Sequence, residues 1–504
     1  MEKRMSGVML NIASMPGNFG IGDFSRNARE IIDDFAIMGF HWLQTLPITA
    51  IGDGDSPYSS PSIYALNYLY IDPHSLPERL ITKDEIKQFI YKGEPYLVDY
   101  AYAKKAKREI LQCAYSRINE QDSKMISQFI KKHKYWIDDY ALFMVLKDKF
   151  NQLPWYHWED KYKFRYPEDI EEVAKELKNE INYYYFEQYI LRTQWEILKE
   201  HAESRGVGIF GDMAIYPSYD SVDVWANTEI FQLDEDLNMK AVAGVPPDYF
   251  SKTGQFWGNP LYDYEEMKKS NYKWMVDRIT YNLQLYHLLR IDHFRGFYEY
   301  WSIDKSKTCA SEGRWEKGPQ MDIWKALEKK VINPAIVAED LGVINDKVKK
   351  YLEKTGFYGM RVMQFGFDGN FDNTHLPHNY KADCVAYTGT HDNNTTLGWL
   401  FELDNETRNF VFQYIGFEGN PFAEGRGYRK SVKAFIRTLM ASSANLAIIP
   451  IQDICGFGGD TRLNVPSIAQ GNWRFRITMT ALTEIDRVYY SSLNKIYNRN
   501  NRAL

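Results

Sequence analysis

Short apolar runs recur along the second half of the chain, and each breaks off at a polar or acidic cluster: "VGIFGDMAIY", "LLRIDHFRG", "AIVAEDLG", "GMRVMQFGF", "CVAYTGTHDNN" and "LAIIPIQD". Runs that stay apolar without alternating are what strands covered on both faces look like, and helical-period segments lie between them. Strand and helix in alternation predict a parallel sheet. Upstream the pattern differs. Residues 1 to about 75 carry "FHWLQTLPI" and "YALNYLYID" around the loop "GDGDSPYSSPS", which reads as strand, loop, strand. From about 80 to 200 come long charged segments such as "SKMISQFIKKHKYWIDDYALFMVLKDKF", with apolar residues at three and four spacing. These predict a helix-rich insertion at approximately 75–205. About eight apolar runs over the whole chain favour an α/β fold, a (β/α)8 TIM barrel with helical insertions between barrel strands, over an open doubly wound sheet. On this reading residues 1–504 are one domain. No GxGxxG or P-loop pattern follows any run, which weakens a nucleotide-binding reading.

In such a barrel the strand bodies are core, and their carboxyl ends open onto the face where βα loops build a site. In "LLRIDHFRGF", Leu288 and Leu289 are then buried and Asp292 stands at the mouth. The same logic places Asp212, Glu339, Asp392 and Asp453 at other strand ends, so five acids converge on one pocket. Any one of them is as readily a capping carboxylate or a partner for an arginine. Their repetition at equivalent positions points to a carboxylate-lined site. Two chemistries fit. With His293 and His391 each beside an Asp, the acids resemble a metal site that activates water, although such sites want several histidines or an HxH pair. Alternatively, two carboxyls act on a glycosidic bond, one as nucleophile and one as general acid/base.

Composition narrows the partners. A net charge of −6 without a concentrated basic run argues against nucleic acid. No apolar run reaches membrane-spanning length, the first twenty residues lack a credible signal h-region, and a cytoplasmic location is the expectation. Four cysteines with no CxxC pair argue against a disulfide framework or structural zinc. Aromatics at 15% suit a wet groove that stacks flat apolar faces as well as they suit core packing.

Longer motifs carry a family resemblance: "SGVMLNIASMPGNFGIGDF", "GDSPYSSPS", "IFGDMAIYPSYDSVDVWANTEIFQLDED", "AGVPPDYFSKTGQFWGNPLYDY", "RIDHFRGF", "VAEDLG", "YTGTHDNNTTLGW", "IQDICGFG", "RLNVPS" and "GNW". In this order they resemble the 4-α-glucanotransferases called amylomaltase or disproportionating enzyme, glycoside hydrolase family 77, along nearly the whole chain. Two departures stand out: Asn394 where the family often has Asp, and the wording of "SSPSIYALN". The resemblance implies that Asp292 is the catalytic nucleophile, Glu339 the general acid/base and Asp392 the acid that holds sugar hydroxyls. It also implies sugar contacts from Tyr58, Tyr249, Phe250, Gln255, Trp257, Arg290, His293, His391 and Asn464, and for Asp212 either a sugar contact or the ordering of the Arg290 and Asp292 pair. The implied partners are α-1,4-glucans (maltose, maltodextrins, starch or glycogen chains), with no metal, no organic cofactor, no nucleic acid and no membrane. Oligomeric state stays open. The physics of the residues agrees. Arg290, two positions from Asp292 on one face of a strand, favours the carboxylate, and Glu339 beside Asp292 is favoured in its protonated form. A loop at approximately 243–263, Gly-hinged and aromatic, is expected to close over the cleft and favour a sugar acceptor over water. An α-amylase-like hydrolase would use the same acids, and product analysis separates the two. A non-catalytic glucan-binding protein would have no need of all three.

Overall fold

The computed structural model describes residues 3–52, 54–247, 253–342, 344–419, 428–466, 468 and 470–504. Eight parallel strands follow one another around a cylinder in chain order: β1 (Met5–Met9), β2 (Trp42–Gln44), β3 (Gly208–Met213), β4 (Leu288–Ile291), β5 (Ile336–Ala338), β6 (Gly359–Val362), β7 (Cys384–Tyr387) and β8 (Leu446–Pro450). β8 returns to β1, pairing Leu446 with Met5. Between β5 and β6 the ladder is reduced to a bridge from Val337 to Tyr358, and Ala338 N–H donates to Tyr358 C=O at 2.8 Å. That contact completes the (β/α)8 barrel.

The strands are short and buried on both sides, so their sequence shows no alternation, yet side chains still alternate in space. Met5, Trp42, Phe210, Leu288, Val337, Met360, Val385 and Leu446 form one buried cluster, the barrel interior. Ile209, Leu289 and Ala386 belong to the larger core toward the helices. This parity sets up the site. Asp212 shares a face with Phe210, and Arg290 shares one with Leu288, so the interior column ends in charged side chains at the carboxyl end.

Between β2 and β3 the long helices Tyr100–Tyr115, Glu120–Lys149 and Lys178–Ser204 dominate. The second opens with a capping box in which Asn119 and Asp122 satisfy each other's backbone amides. The third packs against both helix Arg26–Ile37 and β3, so it also serves as a barrel helix. A fully buried ion pair, Lys107 Nζ to Asp23 Oδ2 at 2.8 Å, ties helix Tyr100–Tyr115 to the N-terminal segment.

The strand expected at "YALNYLYID" is absent. Leu66 makes a single bridge to Thr49, and Tyr68–Tyr70 is a 3-10 turn capped by the Asn67 side chain. Gln188 replaces the ladder partner: its amide accepts from Leu66 N–H at 2.8 Å and donates to Leu66 C=O at 3.0 Å. The first barrel strand is instead "MSGVM", before the segments expected to pair.

A four-stranded antiparallel sheet stands beside the barrel mouth, in the order Gln255–Pro260, Ala241–Val245, Glu299–Asp304, Arg314–Lys317. Much of the segment expected as a loop at 243–263 is therefore strand. Tyr249 and Phe250 lie outside the described residues. Among the described residues no helix is long and apolar enough to cross a membrane.

Candidate active site

A cavity of about 780 Å³ opens at the carboxyl end of the barrel, and Asp292, Glu339 and Asp392 all line it. Of the sugar-contact candidates, Tyr58, Gln255, Trp257, Arg290, His293, His391 and Asn464 line it too.

Its base is an ion-paired chain. Arg290 Nη1 donates to both Asp212 oxygens at 2.8 and 2.7 Å, and Nη2 donates to Asp292 Oδ1 at 2.7 Å. Burial works against the guanidinium's charge, but the two carboxylates outweigh it and hold Arg290 well above its ordinary range. Asp292, directly beyond β4, keeps about a quarter of its side chain exposed, at 28%. The residue after it is strained. His293 sits at φ 47°, in the left-handed region that a non-glycine residue adopts rarely.

That turn aims a backbone amide at the second acid. Glu339 Oε2 accepts from His293 N–H at 2.8 Å, and Oε1 accepts from Leu341 N–H at 2.7 Å. Burial nonetheless pushes the Glu339 carboxyl up to about 8, with the negative charge of Asp292 adding to the effect and Arg290 opposing it. Its neighbour Asp340 anchors the strand end, accepting from Met360 N–H at 2.6 Å and from Arg361 Nη1 at 3.0 Å. A Cβ at Gly359 would stand 2.7 Å from Asp340 Oδ2, so this anchor needs glycine.

Asp392 is fixed from the opposite side. Asn464 Nδ2 donates to Asp392 Oδ1 at 2.6 Å, Arg462 holds the Asp392 carbonyl at 2.6 Å, and His391 Nε2 lies 3.4 Å from Oδ2. Tyr58 links the two halves. Its hydroxyl donates to Asp212 Oδ2 at 2.7 Å and lies 3.1 Å from His391 Nε2, with its ring stacked on the imidazole at 5.4 Å. Burial and the adjacent Asp212 keep the phenol protonated, as a donor. On the far wall, Trp257 meets His293 edge to face at 4.8 Å. The His293 Nε2 is buried with no hydrogen-bond partner among the described residues, and burial lowers its pKa to about 4, so the ring is neutral.

Two of the five strand-end acids stand apart from the cavity. Asp212 is 1% exposed, with both oxygens taken by Arg290 and one also by Tyr58, and it lies behind the cavity wall. Asp453 is a correction to the sequence reading. β8 runs directly into helix Ile451–Cys455, and Asp453 accepts from the Thr388 hydroxyl at 2.6 Å and from Thr396 N–H at 2.7 Å. It pins the loop that carries Asp392 instead of facing the cavity. Among the described residues, no three His, Cys, Asp or Glu side chains gather as metal ligands would.

Trp473 is a cavity residue that the apolar pattern did not single out. Its ring lies 5.9 Å from Tyr58 and 6.0 Å from His391, and its backbone is left-handed at φ 65°. The available signal was the "GNW" motif, where the tryptophan follows a turn-forming pair. Asn394, the departure from the family pattern, does not line the cavity: its Nδ2 donates to Glu402 Oε1 at 2.6 Å. A carboxylate there would face a carboxylate.

Comparison with known proteins gives one answer. The 4-alpha-glucanotransferase family profile matches residues 10–481. A 4-alpha-glucanotransferase of Clostridium butyricum is 41% identical, over 97% of this chain and 98% of its own length. One from Aquifex aeolicus is 40% identical, over 94% and 95%. Among solved structures, the amylomaltase from Streptococcus agalactiae in complex with acarbose superposes with a TM-score of 0.95 at 36% identity, covering 99% of this chain and all of the other.

Proposed function

The chain belongs to the 4-alpha-glucanotransferase family, and from that premise we propose that it moves a segment of an α-1,4-glucan to the 4-hydroxyl of another glucose or glucan with retention of configuration. Asp292 attacks the anomeric carbon of the donor while Glu339 gives its proton to the leaving glycosidic oxygen. The new bond is an ester between Asp292 and the sugar, and the shortened glucan departs with the proton. Glu339, now a carboxylate, takes the proton from the acceptor's 4-hydroxyl, and that oxygen displaces Asp292. Asp392, held by Asn464, binds hydroxyls of the reacting sugar, with His391 and Tyr58 beside it. Arg290 pairs with the nucleophile and Asp212 orients Arg290.

The observation that carries this reading is the split between the two carboxyls of one cavity. Glu339 is raised to about 8 by burial, and Asp292 is ion-paired to Arg290. One starts as an acid and the other as a nucleophile, which is the division of labour that two-step glycosyl transfer needs. Incubation with maltotriose tests it. The expected result is glucose plus a ladder of longer oligomers, with total reducing ends constant. Rising reducing ends would make the enzyme a hydrolase.

A further inference from the structure

The first turn of helix Tyr100–Tyr115 touches both walls around the reacting position. On one side Lys104 Nζ pairs with Asp55 Oδ1 at 2.8 Å, in the loop that carries Tyr58 three residues on. On the other, the Tyr100 hydroxyl donates to the Trp473 carbonyl at 2.9 Å. The chain entering the helix is laced to the same wall. Val98 N–H donates to Arg474 C=O at 2.7 Å, Arg474 Nε donates back to Val98 C=O at 3.2 Å, and Leu97 bridges Phe475. Tyr100 and Lys104 are four residues apart and therefore share a helix face, with the Lys104 ammonium 6.0 Å from the Tyr100 ring. Neither residue lines the cavity itself.

Both walls need holding from outside. Asp55 and Trp473 sit at φ 60° and 65°, in the left-handed region that non-glycine residues adopt rarely, and Gly54 at φ 85° leads into the first of them. Between them Tyr58 and Trp473 stand 5.9 Å apart, each packed on His391. Stacking and orientation of a reacting sugar depend on sub-ångström placement of such rings. The Lys104–Asp55 pair has side-chain exposures of 41% and 31%, so its worth to global stability is small. Its value lies in where it puts the loop.

We propose that this insertion helix is a two-point clamp on the sugar platform, with Lys104 and Tyr100 as positioning residues that fix the spacing of Tyr58 and Trp473. The proposal rests on the reading of the cavity as a sugar site. Lys104→Met and Asp55→Asn test it, with Lys104→Arg as the conservative control, each read by kcat/KM for maltotriose, by calorimetric affinity for acarbose and by denaturation midpoint. Asparagine suits the left-handed backbone at position 55, so that variant isolates the charge. Each single variant is expected to lose roughly three- to tenfold in both kcat/KM and acarbose affinity at an unchanged midpoint, and the double variant to lose no more than either single. Lys104→Arg should keep wild-type values, and Tyr100→Phe should show a comparable loss through Trp473. Wild-type kcat/KM and affinity in Lys104→Met and Asp55→Asn, or losses that multiply in the double variant, would overturn the clamp. So would losses that simply follow a lowered midpoint. A wild-type enzyme that binds acarbose but builds no ladder from maltotriose would remove the transferase reading and leave the clamp to be decided by the affinity ratios.

Discussion

At Glu339, burial and hydrogen bonding pull in opposite directions: two backbone amides favour the carboxylate, and burial beside Asp292 favours the acid. The acid wins, at about 8. Because the first step consumes that proton, donor kcat/KM should hold through neutral pH and fall about tenfold per unit above pH 8. Glu339→Gln should lower turnover of maltotriose by roughly 10²- to 10⁴-fold and abolish that alkaline limb. An α-glucosyl fluoride, whose leaving group needs no proton, should still react with the variant at near wild-type rate in the first step. An alkaline limb that survives in Glu339→Gln would assign it to another group. Asp292→Asn has no such bypass. It should cost roughly a thousandfold or more on either donor, with the fold retained, since asparagine keeps the shape and one acceptor for Arg290. Near-normal turnover by folded Asp292→Asn protein would end the nucleophile assignment.

Among the elements, strand Gln255–Pro260 carries the clearest prediction. It brings Trp257 to the cavity wall against His293, and Phe256, 47% exposed, lines the same cavity. A ring at that wall offers an acceptor sugar a stacking surface that water cannot use. Trp257→Ala should therefore slow transfer more than formation of the glycosyl-enzyme. Loss of one platform is worth about 1 kcal/mol, so the hydrolysis-to-transfer ratio should rise by no more than roughly tenfold. Oligomer ladders and reducing ends measured together read that ratio, and an unchanged ratio with a lower total rate would place Trp257 in donor binding. The elements also show how far the sequence could be read. Strands β3 to β8 were legible because each apolar run ends at a polar cluster, and the same signal located Asp292, Glu339 and Asp392. "MSGVM" was not, because its Ser6 and Gly7 break the apolar run, although both lie buried in β1. "YALNYLYID" looked like a strand because its apolar residues are core, but its backbone is satisfied by Gln188, 122 positions away from Leu66. No local pattern encodes that partner. Asp453 misled for a related reason: the strand-end rule gives no warning when the next residues start a helix at once.

Across the whole molecule, the helices between β2 and β3 are joined to the barrel by contacts that are expensive to break. Lys107 and Asp23 are both essentially without exposure, and the ammonium also meets the Ile71 carbonyl and lies over the Phe19 ring at 4.5 Å. Around them Gln188 and Gln194 hold the backbone at Leu66 and Asp72. An insertion bound this way should not melt by itself. Denaturation should be one transition, seen together by far-UV circular dichroism and by tryptophan fluorescence. Removing one partner of a buried pair leaves the other charge uncompensated, at a cost of about 3–5 kcal/mol. Lys107→Met should thus lower the urea midpoint of the entire transition by that cost divided by the m-value, whereas Lys107→Met combined with Asp23→Leu should recover much of it, because no orphaned charge remains. If the insertion were a separate domain, Lys107→Met would instead split the curve, with an early phase confined to helical signal and a late phase at the wild-type midpoint.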